Sequence, residues 1–270
     1  MQGEVFKDTL LRGWRSALYW AIGMAVFGAY VVILIPDSEG LQGYVSLLEA
    51  MPKAMLQAVG VTDISIIATP EGFLGFAFFT YGAVILAIYA VLVGLNITAN
   101  DEELGVMNLL LSLPLPRWRV VVERVLANVL LSIFVVVLSW LGLALMINVN
   151  PAMATVDPFK LLQACLGFLP TILLVMAVTA LLGVSIRRRN IAGALAGGFV
   201  AVSYVLNTLG AAAGPGLGET LKRLSFFSYY DGTAAALNGL DFGPFIILIV
   251  IASGLAAASV RLFTRRDISA

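Results

Sequence analysis

The stretch VLANVLLSIFVVVLSWLGLALMINV, residues 125–149, decides the fold class. No Asp, Glu, Lys or Arg interrupts it, and the hydrocarbon core of a bilayer takes about 20 apolar residues at roughly 1.5 Å rise each. Backbone polar groups in lipid must be satisfied within the segment, so a run of this length without alternating polarity reads as a helix and not as a barrel strand. Five further stretches pass the same test, at 16–35, 73–95, 161–186, 191–213 and 242–260. The expected fold is an all-α polytopic membrane protein with six transmembrane helices.

The rest of the composition agrees. Of 270 residues 60% are hydrophobic and 12% charged, about half the charge of a soluble domain. Sixteen basic residues balance sixteen acidic ones, so no net field recruits nucleic acid. There is no histidine and one cysteine, Cys165, which removes disulfide frameworks, Cys/His zinc sites and imidazole chemistry.

Basic residues are unevenly shared between the two sides that six spans define. One side holds Lys7, Arg12, Arg15, Arg117, Arg119, Arg124, Arg187, Arg188, Arg189, Arg261, Arg265 and Arg266. The other holds only Lys53, Lys160, Lys222 and Arg223. The imbalance places both termini in the cytoplasm, in a multi-pass protein of the plasma membrane. The first span ends in Ile-Pro-Asp without a small-residue cleavage site, so it is expected to stay as a helix.

The chain divides into an amphipathic segment at 1–15, spans one and two at 16–95 with an outer loop at 36–72, and a cytoplasmic loop at 96–124. Spans three to five follow at 125–213, then an outer loop at 214–241, and the last span with its tail at 242–270. Phe6, Leu10 and Trp14 recur every four residues, which predicts an amphipathic helix at the inner interface. Leu41, Tyr44, Leu48, Met51 and Met55 repeat the pattern outside, with Pro52 set to kink it. The outer loop 214–241 carries Phe226, Phe227, Tyr229 and Tyr230, which fits either an aromatic belt at the headgroups or a short re-entrant or lid element. Gly193 and Gly197, like Gly210 and Gly214, are spaced by four, which suits close helix packing or a hinge.

The cytoplasmic loop is the most informative segment. Asn100 is placed to cap a helix whose first turn is Asp101, Glu102 and Glu103, with Glu103 in the capping-box position and all three acids favoured by the dipole. Leu104, Met107, Leu110 and Leu111 form an apolar stripe, and Pro114 and Pro116 end the helix. Arg117, Arg119 and Arg124 then stand ready to anchor the third span at an anionic membrane surface. On physical grounds this helix either rests on the inner leaflet or docks a cytoplasmic partner.

The run EELGVMNLLLSLPLPRWRVVVERV at 102–125 resembles the corresponding loop in membrane subunits of type-2 ABC exporters. TPEGFLG at 69–75, LSFFSYYDG at 224–232 and LFTRRDI at 262–268 resemble the same family in the same order, and the likeness covers nearly the whole chain. It implies that Asp101, Glu102, Glu103, Gly105, Met107, Leu110 and Leu111 belong to the coupling helix, with Pro114 and Arg117 at its exit. It also implies partners: two copies of an ABC ATPase subunit that bind ATP and Mg, a second permease copy or a paralogue, and membrane lipid, but no nucleic acid. Residues 6–15 match the family's connecting helix. One departure stands out: many relatives have Ser-Pro-Phe where this chain has Ser225-Phe226-Phe227.

Several activities are excluded by the residues themselves. The lysines follow Phe6, Pro52, Phe159 and Leu221, so there is no P-loop and this chain carries no nucleotide cofactor of its own. Paired glutamates without histidine do not make an intramembrane protease, and no charged span residue offers an ion relay. A channel finds neither a ring of charges nor a filter-like glycine loop. The expected function is a permease subunit, not an enzyme, exporting a hydrophobic or amphipathic compound; the alternative is a non-transporting scaffold that binds a cytoplasmic protein through the 101–113 helix. Phe78, Tyr81, Trp140, Tyr204 and Asn207 are the expected lining of the substrate pathway, on the reasoning that uncharged spans suit an uncharged or amphipathic solute.

Overall fold

A computed structural model describes residues 3–36, 38–52, 55–56, 64–99, 116–186, 188–214 and 216–265. The first helix, α1 (Glu4–Leu34), joins the amphipathic segment to the first span without a break. Nothing between Arg12 and Ser16 caps or kinks a helix, and Gly13 is covered by the Leu131 side chain. At about 1.5 Å per residue the 31 residues reach about 46 Å, well beyond the hydrocarbon core.

The outer segment forms α2 (Ser38–Glu49) and one turn, α3 (Ile64–Ile67). The second span is α4 (Pro70–Leu95), which contains a π-helical turn at Gly75–Phe79. The others are α5 (Arg117–Ile147), α6 (Pro158–Ser185) and α7 (Arg189–Ala212). Two short helices, α8 (Leu217–Leu224) and α9 (Gly232–Asn238), precede the last span, α10 (Phe242–Arg265). Six helices are thus long and apolar enough to cross a membrane, and there is no strand among the described residues.

Two packed pairs set the architecture. α1 and α5 run parallel along their whole length: Phe6 meets Glu123 at one end, Gly142 backs onto Ala25 in the middle, and Asn150 Nδ2 donates to the Val32 and Ile35 carbonyls at the other. α4 and α6 also run parallel, with Phe168 over Gly82 and Thr179 over Gly94. In both pairs a glycine lets two helices approach without a side chain between them. α6 is the hub, 67% buried over its most apolar window, whereas α10 is only 17% buried there and turns Ile246, Val250 and Ile251 outward. Helices with one buried stripe and one apolar outer face are what lipid solvation demands. The start of α1, the end of α4 and the start of α5 meet on one face, the terminal face; α2, α3, α8 and α9 lie on the opposite, distal face.

Candidate functional site

The distal face is built by a chain reversal. Gly214 and Gly216 adopt φ of 73° and 87°, a region glycine enters freely, and turn the chain back along α7. α8 then lies against the last turns of α7, where Gly210 and Gly218 allow backbone contact. The reversal brings Ser225 to Ser203, ten positions before Ala213, so the hairpin tip reaches about 15 Å below the end of α7. The segment after Gly216 therefore folds back along the bundle, with Phe226 and Phe227 buried.

Backbone groups at that depth need partners. Ser225 Oγ donates to the Ser203 carbonyl at 2.7 Å and accepts from Phe227 N at 3.2 Å, while Ser203 Oγ accepts from Phe226 N at 3.0 Å. The Phe226 amide is therefore in use, which gives the departure from Ser-Pro-Phe a structural meaning, since proline would have nothing to donate. Tyr230 OH donates to the Ala164 carbonyl at 2.8 Å, and Asp231 caps α9 by accepting from Ala234 N at 2.9 Å. Gly232 rests on Phe79 and Gly75 receives Thr233, so α9 sits directly on the π turn of α4. Thr69 caps α4 from the other motif by accepting from Gly72 N at 3.1 Å, with Pro70 in its first turn.

Between α4, α7 and this hairpin lies a cavity of about 330 Å³. Phe76, Ala83 and Phe227 give it apolar walls, and Thr80, Tyr204, Asn207, Lys222, Asp231 and Thr233 give it polar ones. Of the expected pathway residues, Tyr204 and Asn207 are brought together here. The other three stand elsewhere. Phe78 is fully buried in an aromatic cluster, 5.5 Å from Phe27, 5.2 Å from Phe79 and 6.2 Å from Phe168 between ring centres. Tyr81 is 42% exposed and meets the edge of Phe76. Trp140 Nε1 donates to the Pro158 carbonyl at 2.9 Å, joining α5 to α6. The π turn shifts the faces of α4, because its wider coil adds a residue to one turn; Thr80 Oγ1 reaches back five residues to the Gly75 carbonyl at 3.1 Å. Lys222, Asp231 and Thr233 were not among the expected residues, and the Gly-x-Gly at 214–216 is the signal that could have pointed to them.

On the terminal face two contacts join the helix ends around the loop between spans two and three. Arg124, buried where a headgroup anchor was expected, donates from Nη1 to the Ile97 carbonyl at 2.7 Å. Its own carbonyl accepts from Asn128 Nδ2 at 2.9 Å. Glu123 accepts from Phe6 N at 3.1 Å and from Arg119 Nε at 2.7 Å, which places a carboxylate on the free amides of the first turn of α1. The residues expected to form the coupling helix, Asp101, Glu102, Glu103, Gly105, Met107, Leu110, Leu111 and Pro114, lie outside the described residues, and Arg117 is the first residue of α5.

A family model described as the C-terminal domain of the multidrug efflux system permease Rv1217c matches residues 10–264, a range that takes in four of the six span helices whole and nearly all of the first and last. The chain belongs to that family. No curated protein matches it in sequence. It is accordingly a multi-pass membrane protein of a permease family.

Proposed function

We propose that this permease exports hydrophobic or amphipathic compounds across the plasma membrane, powered by a separate ABC ATPase subunit. The observation that carries the reading is the efflux-permease match over the six-span bundle. The loop at 101–113 docks the ATPase through its apolar stripe, and ATP with Mg acts in that partner. The tethers at Arg124 and Glu123 support this role: one ties the loop's exit to the end of α4 and the other ties α5 to α1, so movement of the loop is passed to three helices. Two six-span units, identical or paralogous, make the working pair with two ATPase copies. Both termini lie in the cytoplasm, and the distal cavity lies on the outer side.

The test is copurification from the native membrane. Wild-type permease brings down an ATP-hydrolysing subunit, and Leu110→Asp loses it, because a carboxylate on the docking face must be desolvated against apolar surface. Retention of the subunit and of stimulated hydrolysis in Leu110→Asp would overturn the docking role. Orientation is read in a Cys165-free background: cysteines at Gly3 and Ser269 stay shielded from impermeant thiol reagents in intact cells, and one at Ser38 is labelled.

A further inference from the structure

The six uninterrupted apolar stretches carry no charge, yet the cavity wall does. α8 folds back along α7, and the missing side chain at Gly210 makes room for the stem of Lys222: a Cβ at Gly210 would stand 2.8 Å from Lys222 Cγ. Half-buried Lys222 thereby joins Tyr204 and Asn207 on the wall. Its backbone is held in place, since the Lys222 carbonyl accepts from Ser228 Oγ at 2.6 Å. Its ammonium group has three donors and, among the described residues, neither an ion pair nor a hydrogen-bond acceptor. Lys160, the other described distal lysine, is already committed to the Leu237 carbonyl at 2.7 Å. Asp231 is solvent-exposed and spends Oδ1 on capping α9. A cation without an acceptor, set in the same cavity as Phe76, Ala83 and Phe227, matches a ligand that is anionic at one end and apolar along its body.

We propose that this cavity binds an amphipathic anion, a carboxylate, sulfonate or phosphate on an apolar body, with the anionic group on Lys222 and the body against Phe76, Ala83 and Phe227. The proposal rests on the export reading only in treating the occupant as cargo. It narrows the substrate class from hydrophobic or amphipathic compounds to amphiphiles with an anionic end, which Lys222 and not the apolar stretches would recognise.

The experiment measures equilibrium binding to the purified full-length permease in phosphatidylcholine nanodiscs, with empty discs subtracted. The probes share one apolar body: 1-pyrenebutyrate as the anion and 1-pyrenebutanol as the neutral match. Wild type is expected to bind the butyrate at least tenfold more tightly than the alcohol. Lys222→Met abolishes that preference and leaves the alcohol's affinity within twofold, which also shows that the variant is folded; Lys222→Arg keeps the preference. Equal affinity for the two probes in wild type, or an undiminished preference in Lys222→Met, would overturn the proposal. Discs containing phosphatidylglycerol, titrated in high salt to screen surface repulsion, separate two sources of the same chemistry. Weakened butyrate binding there assigns the site to an anionic lipid, and unchanged binding assigns it to a free compound. No ATPase subunit is present in this assay, so its failure leaves the copurification result standing, and the reverse also holds.

Discussion

The two faces of this permease hold their connecting segments in opposite ways. On the distal face six residues of the two short motifs have fixed partners: Thr69 and Asp231 cap helices, Gly75 and Gly232 admit Thr233 and Phe79, and Ser225 and Tyr230 satisfy buried backbone groups. On the terminal face two side chains of α5 join the helix ends around the loop between spans two and three, Arg124 reaching the end of α4 and Glu123 the start of α1. A hairpin locked at many points contributes stability. Two tethers between helix ends are placed to pass movement from one helix to the next. Substitutions on the two faces should therefore fail in different ways.

The largest effect is expected at Gly75→Val. A Cβ there would stand 2.6 Å from the Thr233 Cα, and backbone cannot step aside as a flexible side chain can. Overpacking of this kind costs about 3 kcal/mol, so the thermal midpoint in detergent should fall by several degrees. An unchanged midpoint would mean that α9 is not seated on the π turn. Next comes Ser203→Ala, which leaves the buried Phe226 amide without its acceptor and takes a partner from Ser225. The expected loss is about 2 kcal/mol by thermal unfolding, with faster hydrogen exchange at Phe226. The smallest effect on stability is expected on the terminal face. Arg124→Met keeps apolar volume but leaves the Ile97 carbonyl without its donor, so stability should fall by about 1 kcal/mol. Permease-stimulated ATP hydrolysis should nevertheless fall severalfold. A large loss of stability with normal stimulation would erase the contrast between the faces.

The sequence made the spans readable because hydropathy is a local property: each of the six expected stretches falls within or nearly within a long helix. It did not reveal that α1 continues through its amphipathic start, since that continuity depends on packing against α5 and not on a signal between Arg12 and Ser16. The site was half legible. Tyr204 and Asn207 lie on a span whose faces follow the helical repeat, and they line the cavity together. Phe78 stands apart from that cavity, in a buried aromatic cluster, on the π turn of α4, an insertion that no residue type announces. Lys222 was missed because charge was weighed span by span, whereas the hairpin returns a loop residue to the bundle. The expected binding surface at 101–113 lies outside the described residues, and its role rests on the family resemblance.

The central claim is that transport by this chain is driven by another subunit through that loop. Inside-out vesicles containing the permease and its copurifying ATPase test it directly, by ATP-dependent uptake of a hydrophobic dye. The account predicts uptake by wild type that needs ATP and Mg, and none by Leu110→Asp at equal permease content. Equal uptake by Leu110→Asp, or uptake by wild type that ignores ATP, would contradict it.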